Sequence, residues 1–134
     1  MIFGRRKKIH IDTLIDKDMI IRGDTKVSGG VRLDGKIYGN FTVSNIDNNG
    51  MIVMGSESLV KGNILSNHII IDGKVIGNIK SSEYIEINSN AEIQGDIEYN
   101  NIEIHAGAKV IGSLKKMNQK EIGKFLKDEQ DQNN

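Results

Sequence analysis

A five-residue unit, written aliphatic, any, Gly, Asp/Asn/Ser, aliphatic, recurs six times along the chain and leaves few folds open to it. It reads IRGDT at 21–25, IYGNF at 37–41, VKGNI at 60–64, VIGNI at 75–79, IQGDI at 93–97 and VIGSL at 110–114. Only Thr25 breaks the final aliphatic position. The glycines are Gly23, Gly39, Gly62, Gly77, Gly95 and Gly112, with gaps of 16, 23, 15, 18 and 17 residues. Their mean is close to 18, the length of one turn built from three short strands. A fixed period this short predicts a solenoid rather than a sandwich or barrel.

The connecting stretches repeat as well. VRLDGKI (31–37) and IIIDGKV (69–75) place Asp-Gly at a tight bend. IDKDMII (15–21), INSNAEI (87–93) and IHAGAKV (104–110) read as a longer corner, and VMGSESLV (53–60) as a variant one residue longer. A third corner is polar, at Ser66-Asn67, Ser81-Ser82 and Asn100-Asn101, where short side chains bond nearby backbone. The long gap of 23 comes from SNIDNNG (44–50), an inserted loop.

Composition agrees with strands. The chain holds 23 Ile and 7 Val against 6 Leu and 3 Ala, with no Pro. β-Branched residues punctuated by glycine favour extended backbone, whereas a helix bundle would draw on Ala and Leu. One 18-residue turn cannot bury its own aliphatic face. Stacked turns set Ile on Ile at a strand spacing of ~4.8 Å and pair each other's backbone groups, so six turns make a rod roughly 29 Å long. The side chains of Lys36, Lys74, Glu86, Asp96 and Glu103 then point outward. The expected architecture is an all-β, single-domain, three-sided parallel β-helix over 9–117, flanked by short disordered tails at 1–8 and 118–134.

Charge divides the 134 residues in the same way. Arg5, Arg6, Lys7 and Lys8 follow Met1, Ile2 and Phe3; residues 9–114 carry nine basic and fourteen acidic side chains; the last twenty hold five Lys and four acids. Ile122, Phe125 and Leu126 allow one amphipathic turn in the tail, but its polar composition reads as frayed. Ile2 and Phe3 with four neighbouring cations suit an anionic membrane surface, at about 1 kcal/mol per cation. The head is too short to span a bilayer. Absence of Cys excludes disulfides, thiol catalysis and Cys-based zinc sites. The glycines are single and spaced through strands, so no phosphate-binding loop is present. No nucleic-acid partner is expected, because only six aromatic residues are present and none cluster. Neither a cofactor nor a small-molecule substrate is called for.

A parallel coil has two exposed ends, each with unpaired backbone groups above an apolar interior, and soluble solenoids cover these. No cap is legible here. End-to-end stacking of copies follows, driven by backbone pairing and burial of aliphatic side chains. The expected contacts are Leu14, Ile15, Ile20 and Ile21 at one end and Ile102, Ile104, Val110 and Leu114 at the other.

The head MIFGRRKK, the run GGVRLDGKIYGNFTV (29–43), IIIDGKVIGNI (69–79) and EIHAGAKVIGSL (103–114) resemble the bactofilins. The resemblance covers about residues 9–117 and implies a right-handed three-sided β-helix. It further implies a bacterial cytoskeletal protein that polymerises without nucleotide into apolar filaments joined through like ends. Such filaments attach to the inner face of the cytoplasmic membrane and position cell-wall synthases or hydrolases, influencing cell shape. It supports a membrane-targeting role for Met1, Ile2 and Phe3.

The competing class is enzymatic. Left-handed β-helical acyltransferases also have about 18 residues per turn, but need a catalytic His and a strict aliphatic hexad. His10, His68 and His105 have no carboxylate at a repeated offset, and aliphatic gaps through 85–102 run 2, 6, 4 and 5. Each His reads as a solvated corner residue, three dispersed His do not assemble a metal site, and pairs such as Glu83/Glu86 and Asp96/Glu98 read as a solvated face.

Overall fold

The computed structural model describes residues 10–44 and 47–124. Among the described residues sixteen strands wind into six turns, with every strand pair parallel. The first turn comprises β1 (Thr13–Ile15), β2 (Ile20–Arg22) and β3 (Thr25–Ser28). The second comprises β4 (Gly30–Leu33), β5 (Lys36–Tyr38) and β6 (Phe41–Ser44). β7 (Met51–Met54), β8 (Leu59–Lys61) and the start of β9 (Ile64–Ile71) make the third. The rest of β9, β10 (Lys74–Ile76) and the start of β11 (Ile79–Ile87) make the fourth. The rest of β11, β12 (Glu92–Gln94) and β13 (Ile97–Tyr99) follow, then β14 (Ile102–Ile104), β15 (Lys109–Ile111) and β16 (Leu114–Lys116). The expected three-sided solenoid of about six turns is the observed one.

Register explains why these residues stack. Val31, Ile52, Ile69 and Ile85 are successive partners, all fully buried. Ile37, Val60, Val75 and Ile93 form a second inward column, and Phe41, Ile64, Ile79 and Ile97 a third. Burying each such side chain contributes roughly 1.5–3 kcal/mol, which no isolated turn obtains. Because strand side chains alternate in direction, the intervening residues line the outside.

The glycine unit has a second purpose that spacing alone does not reveal. The side chain after each of the first five glycines accepts the backbone N–H at the same point of the next turn. Asp24 accepts from Asn40 at 2.8 Å, and Asn40 from Asn63, Asn63 from Asn78, Asn78 from Asp96 and Asp96 from Ser113, each at 2.9 Å. The glycines themselves have φ between 130° and 154°. At Gly62 a Cβ would be driven into the carbonyl of Gly39 one turn below, so only glycine fits that stack.

The corners are regular. Asp34-Gly35 and Asp72-Gly73 are the expected tight bends. Residues 16–19, 55–58, 88–91 and 105–108 form four-residue corners, each closed by a backbone bond such as Ser58 N–H to Gly55 O at 3.1 Å. The corner at 55–58 is therefore no longer than the others, contrary to the reading of VMGSESLV. Met54, not Val53, faces inward: Met54 pairs with Leu33 and Ile71 and is 1% exposed. The Ser66-Asn67 and Ser81-Ser82 corner is buried rather than a surface bend. Asn67 accepts from Gly50 N–H at 2.9 Å and donates to Ser82 Oγ at 2.8 Å, tying three turns together.

After β16 the chain forms a short helix, α1, at residues 119–124. This corrects the expectation of a frayed tail for those residues. Asn118 Oδ1 accepts from Glu121 N–H at 2.8 Å while Glu121 Oε1 accepts from Asn118 N–H at 3.4 Å, a reciprocal cap. Met117 and Ile122 are buried, and Lys115 Nζ lies 3.4 Å from Glu121. The N-terminal head, including Met1, Ile2, Phe3, Arg5, Arg6, Lys7 and Lys8, lies outside the described residues, as do Phe125 and Leu126.

Candidate assembly ends

The two ends of the coil are its chemically unfinished surfaces. Among the described residues, β1, β2 and β3 pair on one side only, with β4, β5 and β6. At the other end β14, β15 and β16 pair only with β11, β12 and β13. Each end therefore presents a three-sided edge able to accept another parallel turn.

The aliphatic columns run out at these edges. Ile104 continues the column of Ile87, and Leu114 that of Ile97; the inner members are fully buried while Ile104 and Leu114 are 44% and 45% exposed. Ile102 and Val110 end the other columns and are half-buried. At the opposite end Ile21 is half-buried below Ile37, and Ile15 is already buried below Leu33. The register sends the remaining two expected contacts elsewhere. Leu14 pairs with Arg32 and Ile20 with Lys36, so both point outward on the flanks despite being over half exposed.

Thr25, the one residue that breaks the repeat, stands at the foot of the column begun by Phe41. Its hydroxyl is buried with no hydrogen-bond partner among the described residues. An unmade bond of this kind costs about 1–3 kcal/mol.

One cluster near the C-terminal end was not foreseen. His105 Nε2 lies 2.8 Å from a Glu103 carboxylate oxygen and 3.3 Å from one of Glu86, and Tyr84 donates to Glu86 at 3.2 Å. Burial, then Glu86 and Glu103, push the Tyr84 hydroxyl up to about 12. The signal was the pairing of Glu86 with Glu103, legible only once a 17-residue register is known. The ligand atoms of Glu86, Glu103 and His105 lie within 4.8 Å of one another, close enough to share a cation. As partly exposed polar contacts they stabilise the last turns by no more than about 1 kcal/mol. His68 lies two turns earlier in β9, so the histidines do not converge on an acyl-transfer site.

Comparisons with known proteins point the same way as the edges. The family model "Bactofilin: Polymer-forming cytoskeletal" matches residues 13–115. The chain is 28% identical over 112 residues to bactofilin BacO of Myxococcus xanthus (strain DK1622), covering 84% of this chain and 85% of that relative. It is 25% identical over 103 residues to bactofilin BacP of the same organism, covering 77% of this chain and 41% of BacP. The fold is similar to that in a cryo-EM reconstruction of Thermus thermophilus bactofilin double helical filaments. The TM-score is 0.71 at 23% identity, covering 78% of this chain and 99% of that one. No helix among the described residues is long and apolar enough to cross a membrane. With a family match that spans all but the last residue of the sixteen-strand coil, the chain belongs to the bactofilin family of polymer-forming cytoskeletal proteins.

Proposed function

We propose that this bactofilin is the subunit of a cytoskeletal scaffold that assembles end to end without nucleotide, through the edges of its first and last turns. The observation that carries the reading is the pair of one-sided strand edges, with Ile104 and Leu114 exposed at the end of otherwise buried columns. A turn of a second copy would pair those backbone groups and bury those side chains by the same physics that joins turns within the chain. Support for self-association also comes from the similar fold seen in filaments of the Thermus thermophilus protein. Nothing in this scheme consumes a nucleotide.

The same proposal places the filament at the inner face of the cytoplasmic membrane through Met1, Ile2, Phe3 and the cations Arg5, Arg6, Lys7 and Lys8. One head binds weakly, and many heads on one filament bind by avidity. Cell-wall synthases or hydrolases are the partners the scaffold would position. The deciding experiment is electron microscopy of the purified protein without nucleotide or metal. Filaments are expected; a monodisperse rod at high concentration overturns the proposal.

A further inference from the structure

The strands β2, β5, β8, β10, β12 and β15 form one six-stranded side of the coil. Its inward residues are the column of Ile37, Val60, Val75 and Ile93, so the residues between them face out. The outward set contains Arg22, Lys36, Lys61, Lys74 and Lys109 against a single acid, Glu92. Five of the nine cations in residues 9–114 stand there with one of the fourteen acids. This side is therefore +4 and the remainder of the body −9. The separation was hidden in the sequence, where basic and acidic residues alternate along the chain.

Between the cations lie Ile20, Leu59, Ile76 and Ile111, of which Ile20 is 54% and Ile111 68% exposed. Among the described residues no carboxylate lies within ion-pair distance of Lys36, Lys61 or Lys74. We infer that this side is a docking face for the anionic phospholipid surface of a bilayer, with lysines on headgroups and aliphatic side chains in the interface. The inference deepens the membrane reading above and rests on it for the presence of a filament, which would repeat the face along its length.

Two other occupants fit less well. A nucleic acid would take bases on aromatic rings, but Tyr38 is the one aromatic on this side and is already covered, with Arg22 at 5.0 Å and Lys61 at 5.7 Å from its ring centre. A second copy would need an acidic strip. Here six of the fourteen acids already have partners: Asp34 with Arg32, Glu98 with Lys80 and Lys115, Glu86 and Glu103 with His105, and Asp24 and Asp96 in the inter-turn ladder. A lipid surface asks for neither.

The test uses the full chain and sedimentation with phosphatidylcholine vesicles containing or lacking phosphatidylglycerol. Lys36→Glu/Lys61→Glu should bind the anionic vesicles at least about tenfold more weakly than wild type. Lys17→Glu/Lys26→Glu, with the same change in net charge on exposed residues elsewhere, should lose less than about threefold. Lys36→Gln/Lys61→Gln replaces the first variant if its thermal melt shows unfolding. Equal binding by the face variant and wild type, or equal loss by both charge variants, overturns the inference. So does a face variant that keeps its lipid affinity but no longer bundles in micrographs, which assigns the face to a second copy. Filament length, read from the same samples, reports on end-to-end assembly separately, so failure of that reading shows as absent filaments whatever the vesicles do.

Discussion

Asn63 Oδ1 accepts the backbone N–H of Asn78, fifteen positions on, at 2.9 Å, and so bonds one turn of the coil to the next from an exposed side chain. The same rung is built by Asp24, Asn40, Asn78 and Asp96. Asn63→Ala removes one acceptor and should cost about 1 kcal/mol, whereas Asn63→Asp keeps it and should cost little. Urea denaturation of both variants distinguishes a rung from a merely polar corner.

Asp96 makes this ladder sensitive to acid at one rung. Its carboxylate is held below the usual range, chiefly by the backbone N–H of Ser113. A depressed folded value means the contribution is full above the ordinary carboxylate pKa and is lost as pH falls through the folded one. Asp96→Asn retains the acceptor without the charge. The gap in melting temperature between wild type and Asp96→Asn should therefore move in the variant's favour between about pH 6 and about pH 3. A constant gap rejects the assignment.

Gly62 and Gly23 occupy the same place in the repeat but should not tolerate the same change. Alanine at Gly62 meets the Gly39 carbonyl, while at Gly23 nothing lies within 4 Å, since among the described residues no turn is stacked below. Gly23→Ala then carries only the strain of φ 130°, about 1–3 kcal/mol, and Gly62→Ala that strain plus a backbone collision. Circular dichroism on both should show Gly23→Ala folded and Gly62→Ala lost or severely weakened.

The end contacts can be tested by direction rather than by hydrophobicity. Leu114→Arg and Ile104→Arg, at column ends, should leave a folded protein whose filaments are short or absent. Leu14→Arg and Ile20→Arg, at residues still more exposed but pointing to the flanks, should not shorten them. Length distributions by electron microscopy decide; long filaments from Leu114→Arg mean that the C-terminal edge is not the junction.

Deleting residues 2–8 should reduce binding to anionic vesicles while leaving polymerisation intact. Unchanged sedimentation with vesicles rejects the head as an anchor.

The six turns were legible because each glycine sets the phase of the strand before it. Ile37, Val60 and Val75 could be placed inward from the sequence, since a polar or bulky neighbour marks the alternate position. The run Met51–Met54 is apolar in both phases, so nothing local said that Met54 and not Val53 faces the core. The outward direction of Leu14 and Ile20 was hidden for the same reason: each adjoins a second aliphatic, Ile15 or Ile21, and only pairing with β4 and β5 shows which turns inward. The Glu86, Glu103 and His105 cluster and the basic side both depend on cross-turn register, which differs from gap to gap. The described part of helix α1 spans six residues, too short to carry a periodic signal, and rests on its cap instead.

The passage from Ser44 to Met51 has a practical consequence. At the equivalent bend β9 and β11 continue as strands, with a shift of register between Ser81 and Tyr84, and β3 reaches β4 across Gly29 alone, yet the strands on both sides keep their partners whichever route is taken. Splicing an epitope or fluorophore tag between Asp47 and Asn49 would thus lengthen a detour that the winding already accommodates, giving microscopists a handle away from both tips of the rod.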